Sequence, residues 1–282
     1  MRDLPELDLA ARPAARRTWG DLRQRAVSAA LLVPLALACI WLGAAAWTVL
    51  IALGVAGLAT EWVQLCGARV LGWPGLAVPL AVLAGAAASV GQAGLGLVLL
   101  GLGWLTTWGL AARHRRATLL AAGVLYIGLA GVALIWLRQD GGAGRANVLF
   151  LLPLVWASDV GAYAAGRLLG GPRLAPRISP SKTWAGAGGG LLAATATGLL
   201  LALLLGGEAT SRAALVAGGL GLVAQAGDLL ESGLKRRCGV KDSGRLIPGH
   251  GGLLDRLDGV LTAAPAAAAL ALCLGRGMPL WR

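Results

Sequence analysis

Two stretches limit what this chain can fold into: residues 26–60 and 70–112 contain no Asp, Glu, Lys or Arg. Uncharged runs of 35 and 43 residues cannot be kept at the surface of a water-soluble domain, and each exceeds the roughly 20 residues that cross a bilayer once. The rest of the chain agrees. Only 13% of its 282 residues are charged and 57% are hydrophobic, against about 25% charged in soluble domains. An ordinary cytosolic enzyme, a disordered chain and a small disulfide scaffold are all excluded. The four cysteines, Cys39, Cys66, Cys238 and Cys273, have no metal spacing and lie mostly in or beside apolar stretches, where inert thiols are expected.

Each long run has Gly/Ala punctuation near its middle, at 43–46 and 91–94, and reads as a helical hairpin. Further spans are expected over about 117–137, 146–166, 183–206, 213–233 and 257–275, giving about nine transmembrane helices. Open backbone cannot face lipid, and a barrel would need a period-two alternation that is absent, so the fold class is all-α: a polytopic integral membrane protein. Three parts follow. Residues 1–25 form a basic N-terminal arm, 26–145 a scaffold of five helices, and 146–282 a C-terminal region of four helices with loops at 167–182 and 235–256.

Placing the N-terminus in the cytoplasm puts 20 of the 25 basic residues on inside segments and leaves Arg138, Arg145, Arg212, Arg276 and Arg282 outside. That bias, in one consistent alternation, sets the sidedness. The first span is expected to be an uncleaved anchor, because its leader carries four acids and the apolar stretch runs past any small-residue site. Thr18 to Asp21 are expected to cap a short surface helix. Glu61 and the run Arg113-His114-Arg115-Arg116 are expected to be solvated anchors at span ends.

The second half holds the expensive residues. Asp159 and Asp228 lie within apolar spans, and Asp255 and Asp258 open the last one. A carboxylate at a helix centre costs about 3 kcal/mol on insertion scales, so these groups need partners. Asp228, Ser232, Lys235 and Arg236 share one helical face, as do Asp159, Tyr163 and Arg167, and Asp255 and Asp258. Two Gly-, Ser- and Pro-bearing loops adjoin them, 178–184 and 241–252, with backbone able to converge on an anion just ahead of a helix. The chain uses Arg 22 times and Lys three times, and all three lysines (Lys182, Lys235, Lys241) fall in or beside those loops. Lys supplies a compact point charge for phosphate that the planar Arg fork does not reproduce. The constellation fits a metal-bound polyphosphate.

The 27 residues from Ser232 to Asp258 contain Ser-x-x-Lys-Arg, Lys241-Asp242, His250-Gly251-Gly252 and Asp255-Arg256-x-Asp258. This resembles the signature of the phosphatidate cytidylyltransferases. Asp159 to Tyr163 with Gly166-Arg167, and Ser179-Pro180 with Lys182-Thr183-Trp184 and Gly186, are also similar to that family. Ala185 stands where the family often has Glu or Gln and is given no role. The resemblance implies reaction of CTP with phosphatidate to give CDP-diacylglycerol and pyrophosphate, with Mg²⁺, at a cytoplasm-facing site in a bacterial inner membrane, in a homodimer. No nucleic-acid partner is expected. The site then expected comprises Asp228, Asp255, Lys235 and Lys241 as catalytic groups, with Asp228, Asp255 and Asp258 on the metal. Ser179, Lys182, Ser232, Arg236, Asp242, His250, Arg256, Asp159 and Tyr163 would contact substrate. Phosphoryl transfer of this kind needs positioning and charge neutralisation more than covalent help. The alternatives are another CTP-dependent lipid enzyme such as a polyprenol kinase, a transporter using intramembrane carboxylates, or a structural protein.

Overall fold

A computed structural model describes residue 30 and residues 33–206, 210–244 and 251–282. The N-terminal arm, the cap expected at Thr18–Asp21, Arg245 and His250 lie outside the described residues. Among those described, the helices are α1 Val33–Leu42, α2 Ala44–Leu65, α3 Ala77–Ala88, α4 Ala93–Leu110, α5 Ala117–Gln139, α6 Gly144–Leu169, α7 Trp184–Leu204, α8 Ser211–Cys238 and α9 Leu254–Leu274. The breaks fall where the sequence is punctuated: Gly43 separates α1 from α2, and residues 89–92 separate α3 from α4. Seven of the nine are long and apolar enough to cross a membrane. The other two are shorter; α3, with 12 residues, extends about 18 Å at 1.5 Å per residue, against a hydrocarbon core of about 30 Å.

The most deeply enclosed helix is α5, packed among α2, α3, α4, α6 and α9. Buried Val124, Ile127, Ile135 and Leu137 lie along it. The closest pair is α6 and α7. A Cβ placed on Gly161 would stand 2.8 Å from the Gly189 carbonyl, and one on Gly189 would stand 3.0 Å from the Gly161 carbonyl. Small residues at such a crossing let two backbones approach in lipid, where packing rather than water exclusion drives association.

Helix ends gather at two poles. At one, Arg116 at the start of α5 donates to the carbonyls of Leu65 (3.0 Å) and Cys238 (3.2 Å), joining the C-terminal ends of α2 and α8. A cation facing two helix C-termini also opposes their negative dipole ends. At the other pole, Arg138 donates to the Ile40 carbonyl, the Asp140 carboxylate accepts from Gly277 N (2.7 and 2.9 Å), and buried Asn147 pairs with the backbone of Met278 and Leu280. The charge alternation requires this same grouping of ends.

The segment expected as a loop at 167–182 holds the end of α6, which runs to Leu169, and a two-stranded ribbon. Strands β1 (Arg173–Ala175) and β2 (Ser179–Thr183) pair antiparallel, with Arg173 opposite Thr183 and Ala175 opposite Ser179. Gly170 and Gly171, both at positive φ, end α6, and Ile178 N closes the turn on the Ala175 carbonyl (3.1 Å). Thr183 then caps α7, its hydroxyl accepting from Gly186 N at 3.0 Å. The ribbon thereby holds Lys182 against Asp228 of α8.

Candidate active site

The last turns of α8 carry the first half of the site. Lys235, Arg236 and Arg237 fill its C-terminal turn, and Gly239, at φ +76°, turns the chain in the left-handed conformation that a Cβ disfavours. One turn and more upstream, the Asp228 carboxylate forms an ion pair with Lys182 from β2 and accepts a long hydrogen bond from Ser232 (3.4 Å). Lys235 stands between two carboxylates, paired with Glu231 (3.1 Å) and with Asp255 from α9. Glu231 is fully buried, and its carboxylate is held by Lys235. The lysine that neutralises Glu231 is therefore shared.

The start of α9 carries the second half. One oxygen of Asp255 takes Lys235; the other accepts from Ser243 N (3.0 Å), the Ser243 hydroxyl (3.0 Å) and Gly252 N (3.3 Å). Asp258 accepts from Gly259 N at 2.7 Å, and its carboxyl also meets that of Asp228 and interacts with that of Asp159. Two carboxyl groups in hydrogen-bond contact need a shared proton or a cation. Helices α8 and α9 approach closely here because of Gly227, where a Cβ would lie 2.1 Å from the Thr262 hydroxyl and 2.8 Å from the Asp258 carbonyl.

The remaining sequence-derived residues surround this centre at varying range. Asp159, on an exposed face of α6, interacts with both Asp228 and Lys182. One turn on, the Tyr163 hydroxyl accepts from Arg167 (2.8 Å). Arg236 donates to the backbone carbonyls of Ile178 (3.3 Å) and Val240 (3.4 Å), which ties α8 to the ribbon. Lys241, Asp242 and Arg256 are exposed, and Ser179 opens β2. The structure thus joins Asp228, Asp258 and Lys182 in one cluster and ties Asp255 to Lys235, Ser243 and Gly252. Among the described residues, no three His, Cys, Asp or Glu side chains are placed to hold a metal ion by themselves.

The sequence reading missed Glu231 and Ser243, and placed Glu61 wrongly. Glu231 had a signal: it stands four residues before Lys235, on the face that carries Asp228 and Ser232. Glu61 is no solvated anchor; it is only 1% exposed. Its oxygens accept from Leu253 N (2.9 Å), Leu254 N (2.8 Å) and the Ser243 hydroxyl (3.4 Å). The residue before α9 supplies no side-chain cap, and a carboxylate some 190 positions away satisfies the first-turn N–H groups instead. The inert-thiol expectation fits Cys66, which is buried: desolvation and the neighbouring Cys238 push its thiol up to about 12 against the pull of Arg116.

The profile of the cytidylyltransferase family matches residues 23–274 of this chain. The chain is 40% identical over 261 residues to the phosphatidate cytidylyltransferase of Brucella suis, an alignment covering 86% of this chain and 91% of that protein. It is 37% identical over 287 residues to the phosphatidate cytidylyltransferase of Pseudomonas aeruginosa, covering 92% and 100% respectively. The protein of the same name from Mycobacterium leprae is 46% identical over 155 residues, which is 55% of this chain and 49% of that one. The chain belongs to the cytidylyltransferase family.

Proposed function

We propose that this chain transfers the cytidylyl group of CTP to phosphatidate, giving CDP-diacylglycerol and pyrophosphate, from a site on the cytoplasmic face of a bacterial inner membrane. The observation that carries this reading is the pairing of Lys182 with Asp228 and of Lys235 with Asp255 at one end of a bundle of apolar helices. Cations and carboxylates gathered at one end of such a bundle support a site that meets a lipid headgroup, and the relatives named above act on phosphatidate by name.

A phosphatidate oxygen attacks the α-phosphorus of CTP; the new P–O bond forms as the bond to the β-phosphate oxygen breaks, and pyrophosphate leaves. The protein's task is to align the two phosphates and neutralise the charge they bring together. Lys182 and Lys235 move from their carboxylates onto phosphate oxygens, with Lys241 and Arg256 flanking them at the exposed rim. Asp159, Tyr163, Ser179, Ser232, Arg236, Asp242 and His250 are the further substrate contacts of this reading, and the acyl chains stay in the bilayer.

The residues fit Mg²⁺, which is ordinarily held by one or two carboxylates while phosphates and water complete its octahedron. Asp228 and Asp258, whose carboxyls already meet, would hold it. When bound, the ion neutralises charge on the transferring and leaving phosphates. Asp255, with both oxygens engaged, orients Lys235, Ser243 and Gly252. A homodimer in the membrane is part of the same reading.

The test is purified protein in detergent with phosphatidate, Mg²⁺ and CTP labelled in the cytosine ring. Label should become lipid-extractable with one pyrophosphate released per lipid, and Asp228→Asn should lower turnover at least 100-fold. Label that stays in the aqueous phase as CDP, the product of a polyprenol-kinase type of reaction, refutes the assignment.

A further inference from the structure

We infer that Glu61, in the helical half that carries none of the proposed catalytic groups, is a positioning residue for the transfer reaction. It acts by fixing where α9 begins and hence where Asp255 and Asp258 stand. This inference rests on the function proposed above.

The physical chain is short. A helix N-terminus leaves its first N–H groups without intrahelical partners, and the direction of those groups is set by whatever accepts from them. In α9 the Glu61 carboxylate takes two, Leu253 N on one oxygen and Leu254 N on the other, a two-point grip that fixes orientation as well as position. Asp255 follows one residue after Leu254, and Asp258 one turn later.

The same carboxylate also reaches the loop. Ser243 lies between Glu61 and Asp255, with its hydroxyl 3.4 Å from the first and 3.0 Å from the second, and its N–H donating to Asp255. Only glycine fits on either side of this bridge. A Cβ at Gly244 would stand 2.8 Å from Glu61 Oε1, and one at Gly252 would stand 2.0 Å from the Ser243 hydroxyl. The line Glu61–Ser243–Asp255–Lys235 therefore runs from α2 to the lysine proposed to hold phosphate. Nothing in it suits Glu61 for direct substrate contact, since it is buried and its oxygens face backbone N–H groups and a serine.

Glu61→Gln keeps the size but replaces one acceptor oxygen with an NH₂ group that opposes a backbone donor. The experiment compares wild type and Glu61→Gln in detergent by turnover against CTP concentration, by thermal unfolding and by hydrogen exchange of the peptide covering residues 251–258. Expected for the variant are a kcat at least tenfold lower, a KM for CTP within threefold of wild type, a melting temperature within about 5 °C, and at least tenfold faster exchange in that peptide. Gly244→Ala, which keeps the carboxylate and crowds it, should give the same pattern and serves if the Gln variant folds poorly. A kcat within twofold of wild type, or wild-type exchange at 251–258, overturns the inference. If wild type itself transfers no cytidylyl group to phosphatidate, the proposed function fails, and the exchange rates alone decide whether Glu61 fixes the start of α9.

Discussion

Lys235 offers the sharpest test of how the site is held together, because a fully buried glutamate and Asp255 share it. Replacing it by Met keeps most of the apolar stem and removes the charge. Breaking a buried pair from one side costs about 3–5 kcal/mol, since the remaining charge is stranded away from water. Asp255 retains three other donors, two from Ser243 and one from Gly252, so most of the loss falls on Glu231. Lys235→Met should therefore lie near the lower end, about 3 kcal/mol, which for a chain of this size is about 5 °C in melting temperature. Adding Glu231→Gln removes the stranded charge. The double variant should recover at least half of that shift while still failing to turn over CTP, and thermal unfolding in detergent across the four members of the cycle measures the coupling. A Lys235→Met melting temperature within 1 °C of wild type, or a double variant no more stable than that single one, refutes the reasoning.

Two further outcomes follow from the geometry. Gly227→Ala should force α8 and α9 apart beside Asp228, at a cost of about 1–3 kcal/mol for overpacking and a tenfold or greater loss of turnover. Trimming Thr262 to Ala should restore part of both, as read by melting temperature and rate. The proposed sidedness is checked with Arg115→Cys in a chain whose exposed Cys273 is Ser. A membrane-impermeant maleimide should label it from the cytoplasm alone, and labelling from the outside would reverse the orientation.

Much of the bundle was legible because lipid leaves the backbone few choices. Uncharged runs of spanning length had to be helical, and glycine marked where they break, as at Gly43 and in the turn before Ala93. The face of α8 bearing Asp228, Ser232 and Lys235 was legible for the same reason, since helical spacing is arithmetic. The β-ribbon was not, because Pro and Gly exclude a helix without specifying which extended pairing replaces it. Nor was Glu61, whose partners are backbone N–H groups of another helix and leave no trace in side-chain pattern. The division of labour among the aspartates was out of reach for a different cause. Spacing puts Asp255 and Asp258 on one face, but only the loop's N–H groups and Lys235 show that the first is engaged while the second turns to Asp228.

The pairing of each site lysine with an aspartate also limits which visitors the centre welcomes. A polyanion would compete with Asp228 for Lys182, and a lone cation that captured Asp228 would loosen Lys182. Either guest by itself exchanges one satisfied contact for another and leaves an orphan behind. A guest that arrives carrying both signs, a triphosphate already wearing its metal, gives every released group a new mate at once. If the proposed function holds, the resting contacts would select the complete ensemble over its fragments, before any chemistry begins.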